Sequence, residues 1–161
     1  MFLVLYVDDI LLIGNDIQML ESVKRWLEKC FLLKDLGKAA YILGVKIYRD
    51  RSKWLICLSQ RAYINKVLHR FLMASSNKSN IPITSGMTLI RSQCPITSKD
   101  KRFIEKVPYA SAIGSIMYAI LYTRPDRTYS LSVAIRHQAN PGRDHWVAIK
   151  NILKYLWRTK D

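Results

Sequence analysis

The segment from Phe2 to Ile13 constrains this chain more than any other. Two β-prone apolar runs, Phe2-Leu3-Val4-Leu5-Tyr6 and Ile10-Leu11-Leu12-Ile13, flank Val7-Asp8-Asp9. Short apolar runs bounded by turn residues read as strands, and the polar break between them reads as the tip of a β-hairpin. That tip carries two adjacent carboxylates between apolar strands. The pairing is costly, because both groups need water and their charges repel. A divalent cation resolves the conflict, since hard oxygen ligands suit Mg²⁺ and also Mn²⁺. Two such ions about 3.5–4 Å apart can activate an attacking hydroxyl and stabilise a leaving oxygen in phosphoryl transfer. The plainer alternative is a solvated turn, in which Asp is a common residue.

After the hairpin, Gly14-Asn15-Asp16 breaks the chain and Asp16 suits an N-cap. Ile17, Leu20, Val23, Trp26, Leu27 and Cys30 recur with helical spacing, which predicts an amphipathic helix over 17–30. Asp35-Leu36-Gly37-Lys38 reads as a turn. Tyr41–Tyr48 and Trp54–Leu58 are strand-like and are joined by the charged link 49–53. Ser59 suits the N-cap of a further helix, with Tyr63, Ile64, Val67, Leu68, Phe71 and Leu72 on its apolar face. From Ala74 to about Lys106 the periodicity disappears among Ser, Asn, Pro and Thr. Beyond Pro108, helices are expected near 109–122, 127–138 and 143–158. The order implies an α+β fold: a sheet-containing part over 1–73, a connection over 74–107 and a mostly helical part over 108–161.

Charge is unevenly distributed. The chain carries 26 Lys and Arg against 12 Asp and Glu, a formal +14. Residues 1–58 contribute only +2 and residues 59–161 contribute +12. Such an excess points to a polyanionic partner, nucleic acid being the common one. In 143–158, Lys150, Lys154 and Arg158 recur every four residues along one helix face, opposite Trp146, Ile149, Leu153 and Leu156. That stripe could track phosphates, as could Lys66 and Arg70, or it could be a solvated face. No apolar run is long enough to span a membrane. Cys30, Cys57 and Cys94 are odd in number and widely spaced, against a disulfide framework or a CxxC zinc site. Cys57, in an apolar stretch, reads as a core residue. His69, His137 and His145 show no metal-ligand spacing, and His145-Trp146 after Asn140-Pro141-Gly142 reads as a helix start.

Tyr6-Val7-Asp8-Asp9 resembles the Tyr-x-Asp-Asp box of reverse transcriptases. The remaining blocks resemble the copia-type enzymes of long-terminal-repeat retrotransposons. They include Lys34-Asp35-Leu36-Gly37, Tyr41-Ile42-Leu43-Gly44-Val45, Leu58-Ser59-Gln60, Val107-Pro108-Tyr109 through Tyr118, Thr123-Arg124-Pro125-Asp126, Asn140-Pro141-Gly142, His145-Trp146 and Ile152-Leu153-Lys154-Tyr155-Leu156. The resemblance implies a partial polymerase palm followed by a helical thumb-like or connection region, drawn from the C-terminal part of the polymerase within a Pol polyprotein. Asp8 and Asp9 would then be the catalytic metal ligands for two Mg²⁺ ions. Tyr6 and Val7 would lie near the primer terminus or incoming deoxynucleotide. Leu43 and Gly44 would grip the primer end, and Lys34 would neutralise the departing pyrophosphate. Lys66, Arg70, Lys150, Lys154 and Arg158 would face the backbone of an RNA or DNA template with its primer. An intracellular setting, in a cytoplasmic particle or the nucleus, is implied in the same way.

The family pattern also includes an earlier strand with a further metal-binding Asp, an upstream fingers region and a downstream RNase H domain. None of these falls within the sequence, so little activity is expected from the chain alone. A non-catalytic, basic nucleic-acid-binding remnant is the competing reading. A third is a domain that does not fold by itself because its sheet edge lacks partners.

Overall fold

The computed structural model describes residues 1–83 and 87–160. The chain forms two compact units, Met1–Ala40 and Tyr41–Asp161. The first contains β1 (Phe2–Tyr6), β2 (Asp9–Ile13) and α1 (Ile17–Cys30). β1 and β2 pair antiparallel from Phe2↔Ile13 to Tyr6↔Asp9. Only Val7 and Asp8 therefore make the connection, and Asp9 lies in the strand instead of the turn. Asp16 caps α1 as expected, its carboxylate accepting the Met19 N–H at 3.1 Å. Asp35 accepts the Gly37 N–H at 2.8 Å and meets the Lys24 ammonium at 2.9 Å. The Lys24 hydrogen bond, aided by the Gly37 amide, holds the Asp35 carboxyl below the usual carboxylate range.

The second unit opens with a three-stranded antiparallel sheet of β3 (Tyr41–Ile42), β4 (Val45–Asp50) and β5 (Leu55–Ser59), in that order. The sequence reads 41–48 as one strand. The structure breaks it at Leu43 and Gly44, which have φ of 50° and 72°. Positive φ at both central residues is the condition for a tight two-residue hairpin turn that matches strand twist. The periodicity misses the reversal because Leu43 is as apolar as its neighbours. Cys57 is exposed on β5, not in the core, because β5 presents Leu55, Ile56 and Leu58 to solvent as well.

α2 (Arg61–Arg70) follows. Its N-cap is Gln60 and not Ser59, although the Ser59 hydroxyl accepts the Arg61 N–H at 3.3 Å. Ile64, Val67 and Leu68 are buried as predicted, while Leu72 turns out to solvent at φ 56°. The supposedly aperiodic connection holds a 3-10 turn, Arg91–Gln93, and a short helix, α3 (Ser98–Glu105). Thr97 caps α3 by accepting the Asp100 N–H at 3.2 Å. Its only large apolar residues, Phe103 and Ile104, are adjacent, so no helical period shows in the sequence. Arg143 ties α3 down, with its Nε 3.2 Å from the Asp100 carboxylate and its guanidinium 4.3 Å above the Phe103 ring.

α4 (Tyr109–Thr123), α5 (Thr128–Ile135) and α6 (Arg143–Arg158) complete the fold. Together with α2 they enclose the main core, where Leu68, Ile113, Ile116, Ile149, Ile152, Leu153 and Leu156 are essentially fully buried. Ala112, Ala119, Ala134 and Ala148 are equally buried, and their small side chains let the helices approach closely. α5 stops at Ile135, after which 136–140 turns back towards Pro141-Gly142 and the start of α6. The Tyr109 hydroxyl donates to the Ala134 carbonyl at 2.9 Å, and burial pushes its phenol up to about 12. Among the described residues no helix is long and apolar enough to cross a membrane.

Candidate functional site

The acid pair is presented by the β1–β2 hairpin. Asp8 is exposed in the turn, Asp9 is exposed at the head of β2, and Tyr6 pairs across from Asp9. Among the described residues neither carboxylate takes a hydrogen bond or an ion-pair partner. Val7 is 78% exposed at φ 50°. A β-branched residue in the left-handed region costs about 1–2 kcal/mol. Strain of that kind concentrates where function, not stability, sets the backbone. The donor set is oxygen-only and unneutralised, which fits a hard divalent cation such as Mg²⁺. No third Asp, Glu, His or Cys within residues 1–40 joins the pair to make a ligand group. Lys34 lies in the irregular stretch after α1, exposed, and it is Asp35 beside it that takes the ion pair with Lys24.

Leu43 and Gly44 form the tight turn of the second unit and meet α4 there. The Tyr118 hydroxyl donates a short hydrogen bond to the Leu43 carbonyl. A Cβ added at Gly44 would lie 3.9 Å from that hydroxyl. Tyr118 is itself held between Tyr63 and Tyr122, with ring centroids 4.7 and 4.6 Å away. The Tyr63 hydroxyl closes the ladder on the Ser115 carbonyl at 3.0 Å. The turn thus rests on three aromatic rings, an arrangement that joins positions far apart in the chain.

The basic residues divide between two helices. Lys66 and Arg70 are exposed on α2. On α6, Arg158 is exposed but Lys150 and Lys154 are half-buried, and the Ser79 N–H donates to the Lys154 carbonyl at 3.4 Å. The stripe on α6 is therefore partly covered by the connecting segment instead of wholly solvated. Trp157, in the last turn, has the ammonium groups of Lys160 and Lys78 at 3.8 and 4.8 Å from its ring. The Arg-Pro-Asp block forms a 3-10 turn, Pro125–Arg127. There Arg124 reaches the Thr159 carbonyl at 2.9 Å, and Arg127 stacks 3.9 Å from the Tyr155 ring. Burial would raise the Asp126 carboxyl, but its hydrogen bond and ion pair with Arg124, and the charge of Arg127, bring it below the usual range.

The reverse transcriptase (RNA-dependent DNA polymerase) family profile matches residues 1–85, the segment that holds the acid hairpin and the Leu43–Gly44 turn. The chain belongs to the reverse transcriptase family. It is 45% identical over 154 residues to the retrovirus-related Pol polyprotein from transposon TNT 1-94 of Nicotiana tabacum, covering 96% of this chain and 12% of that protein. It is 29% identical over 160 residues to the Pol polyprotein from transposon RE2 of Arabidopsis thaliana, covering 99% of this chain and 10% of the relative. A putative transposon Ty5-1 protein of Saccharomyces cerevisiae is 27% identical over 159 residues, covering 99% of this chain and 49% of the relative. This reverse transcriptase segment thus spans about a tenth of the Pol polyproteins it matches and about half of the yeast protein. No solved structure matches it.

One cluster escapes sequence reasoning altogether. Cys94, His137 and His145, dispersed along the chain, place one ligand atom each within 4.8 Å of one another. The His137 and His145 rings stack with centroids 4.1 Å apart. His145 does act at the helix start, as its position suggests: its Nδ1 accepts the Gly142 N–H at 2.7 Å.

Proposed function

We propose that the chain is the later part of a retrotransposon RNA-directed DNA polymerase, with Asp8 and Asp9 holding its catalytic Mg²⁺ or Mn²⁺. The observation that carries this reading is the acid hairpin itself: two exposed, unpartnered carboxylates at a strained turn, inside the segment that matches the reverse transcriptase family. Bound divalent ions would activate the primer 3′ hydroxyl and neutralise charge on the leaving pyrophosphate of a deoxynucleotide. The chain's own residues do the positioning. The fixed β1–β2 register presents Asp8 and Asp9 side by side, and Tyr6 and Val7 line the approach to them. Leu43 and Gly44 bring bare backbone to the primer end, and the Tyr118 hydrogen bond keeps that turn in one conformation. Lys34 supplies charge for the pyrophosphate. Lys66, Arg70, Lys150, Lys154 and Arg158 take up phosphates of the RNA or DNA template and primer.

Two carboxylates do not complete a two-ion site, and residues 1–40 offer no third ligand. A further carboxylate from the rest of the Pol polyprotein is therefore part of the proposal. So are strands to cover β1, whose residues are all exposed, with Phe2 at 72% and Leu5 at 66%. The test is primer extension by the chain joined to the upstream region of its own polyprotein, with Mg²⁺. Extension is expected, and Asp8→Asn should abolish it. Extension that survives Asp8→Asn overturns the assignment.

The competing reading, a basic nucleic-acid-binding module without a reaction, rests on the +12 carried by residues 59–161. Its signature is binding to a primer–template duplex that weakens with salt, by a log–log slope of about −0.9 per phosphate contact on duplex DNA. Such binding without extension in the joined protein would favour this second reading, and salt-independent binding would remove it.

A further inference from the structure

The second unit brings together three ligating side chains that the polymerase chemistry does not use. Cys94 ends the 3-10 turn Arg91–Gln93, His137 lies in the turns after α5, and His145 stands in the first turn of α6. One sulfur and one nitrogen from each ring lie within 4.8 Å of one another. His145 is fully buried. Its Nδ1 accepts the Gly142 N–H, so the neutral ring carries its proton on Nε2. The Ile90 carbonyl acts on the ring as a weak acceptor, yet no group completes a hydrogen bond to the buried Nε2. A buried ring nitrogen without a partner is rare and calls for an explanation.

We propose that Cys94, His137 and His145 form a binding site for a zinc-class metal ion, with three protein ligands and a fourth, open position. The donor set decides the class. A thiolate with two imidazoles suits Zn²⁺, Cd²⁺ or Co²⁺ and is poor for Mg²⁺. The site is therefore chemically separate from Asp8 and Asp9, and it does not depend on the polymerase reading. Bonds of roughly 2.0–2.3 Å put tetrahedral ligand atoms roughly 3.3–3.8 Å apart. The required contraction from 4.8 Å falls on Cys94 and His137, which are half-buried in irregular segments, while His145 is locked in α6.

Proton accounting is explicit. Metal binding releases the Cys94 thiol proton to solvent. At His145 the ring proton moves from Nε2 to Nδ1 as the metal takes the Nε2 lone pair. Nδ1 can then no longer accept from Gly142, and that cap is lost. One helix-cap hydrogen bond is worth roughly tenfold or less in affinity, small against the many orders of magnitude that zinc sites command.

The test is zinc titration of the 161-residue chain by calorimetry, with Cd²⁺ to read the ultraviolet thiolate-to-metal charge-transfer band. One equivalent is expected, with a single-thiolate band. Cys94→Ser should remove the band, and His137→Phe should weaken zinc binding about tenfold or more, since even second-shell losses cost about 10–100-fold. Both variants leave the core helices intact, which circular dichroism checks. Cys57→Ser, at an exposed strand position, should leave binding unchanged. No uptake by the wild type, a band that survives Cys94→Ser, or affinity indifferent to His137→Phe each overturns the proposal.

Discussion

Replacing Gly142 by Ala should destabilise the helical unit, and Gly114→Ala should do the reverse. Gly142 has φ −99° and ψ −176°, an ordinary extended conformation for any residue, so backbone preference alone opposes nothing. In open space such a change would stabilise by about 0.4–1 kcal/mol through the unfolded state. At Gly142, however, the new Cβ would lie 1.8 Å from the Gln93 carbonyl oxygen, where ordinary contact begins at 3.4 Å. The obstacle is backbone, so the Arg91–Gln93 turn or the start of α6 must move by about the difference. That displacement disturbs the Gly142–His145 cap as well. Overpacking of this kind costs about 1–3 kcal/mol, and the lost cap adds to it. For a chain of this size the overpacking alone corresponds to a fall of roughly 2–12 °C in melting midpoint. Gly114 lies exposed within α4 with nothing within 4 Å of an added Cβ. Ala there should gain about 0.8–1 kcal/mol of helix propensity, a rise of roughly 2–4 °C. Thermal melts of the two variants beside the wild type check both signs. A Gly142→Ala protein as stable as the wild type would refute the close approach of Gln93 to α6.

Tyr118→Phe removes the hydrogen bond to the Leu43 carbonyl and should cost about 0.5–1.5 kcal/mol. Amide exchange should quicken across β3–β4 while α6 is unaffected; unchanged exchange at Val45 and Lys46 would show that the turn does not need it. Asp126→Asn tests the Arg124–Asp126–Arg127 group. A carboxyl lowered in the folded state stabilises above its unfolded value near 3.8, and that contribution is lost as pH falls through the lowered native value. The wild type should thus exceed Asp126→Asn in melting temperature at neutral pH, within the about 0.2–1 kcal/mol of exposed pairs, and the gap should close below about pH 4. A gap that persists in acid would refute the ionic account. Leu153→Ala, at a fully buried position of α6, should cost about 2–5 kcal/mol. A loss below 1 kcal/mol on denaturant titration would place the core elsewhere.

Most elements, and the acid pair itself, were legible in the sequence because their causes are local. The hairpin strands, the Asp16 cap, the 14 residues of α1 and the bounds of α4 and α6 all follow from periodicity and punctuation within a few residues. Resemblance carried the rest of the candidate site, from Tyr6 to Arg158. Errors arose where a local signal was absent or ambiguous. Leu43 carries no turn signature, so one apolar run concealed a reversal. α3 has too few apolar residues to show a period, and Cys57 was judged by its neighbours although β5 is exposed.

Tertiary structure alone decided what depends on residues far apart in the chain. The Leu43 turn rests on Tyr118, the Arg-Pro-Asp block reaches Thr159, and Gly142 must be small because Gln93 lies against it. Cys94 met two histidines in the same way. Nothing in its flanking residues encodes that meeting, since it arises when α6 and the turns after α5 converge on one core. Local order follows from short-range dihedral and burial preferences that a window of sequence contains. Chemistry assembled across long loops follows from packing, which no window contains.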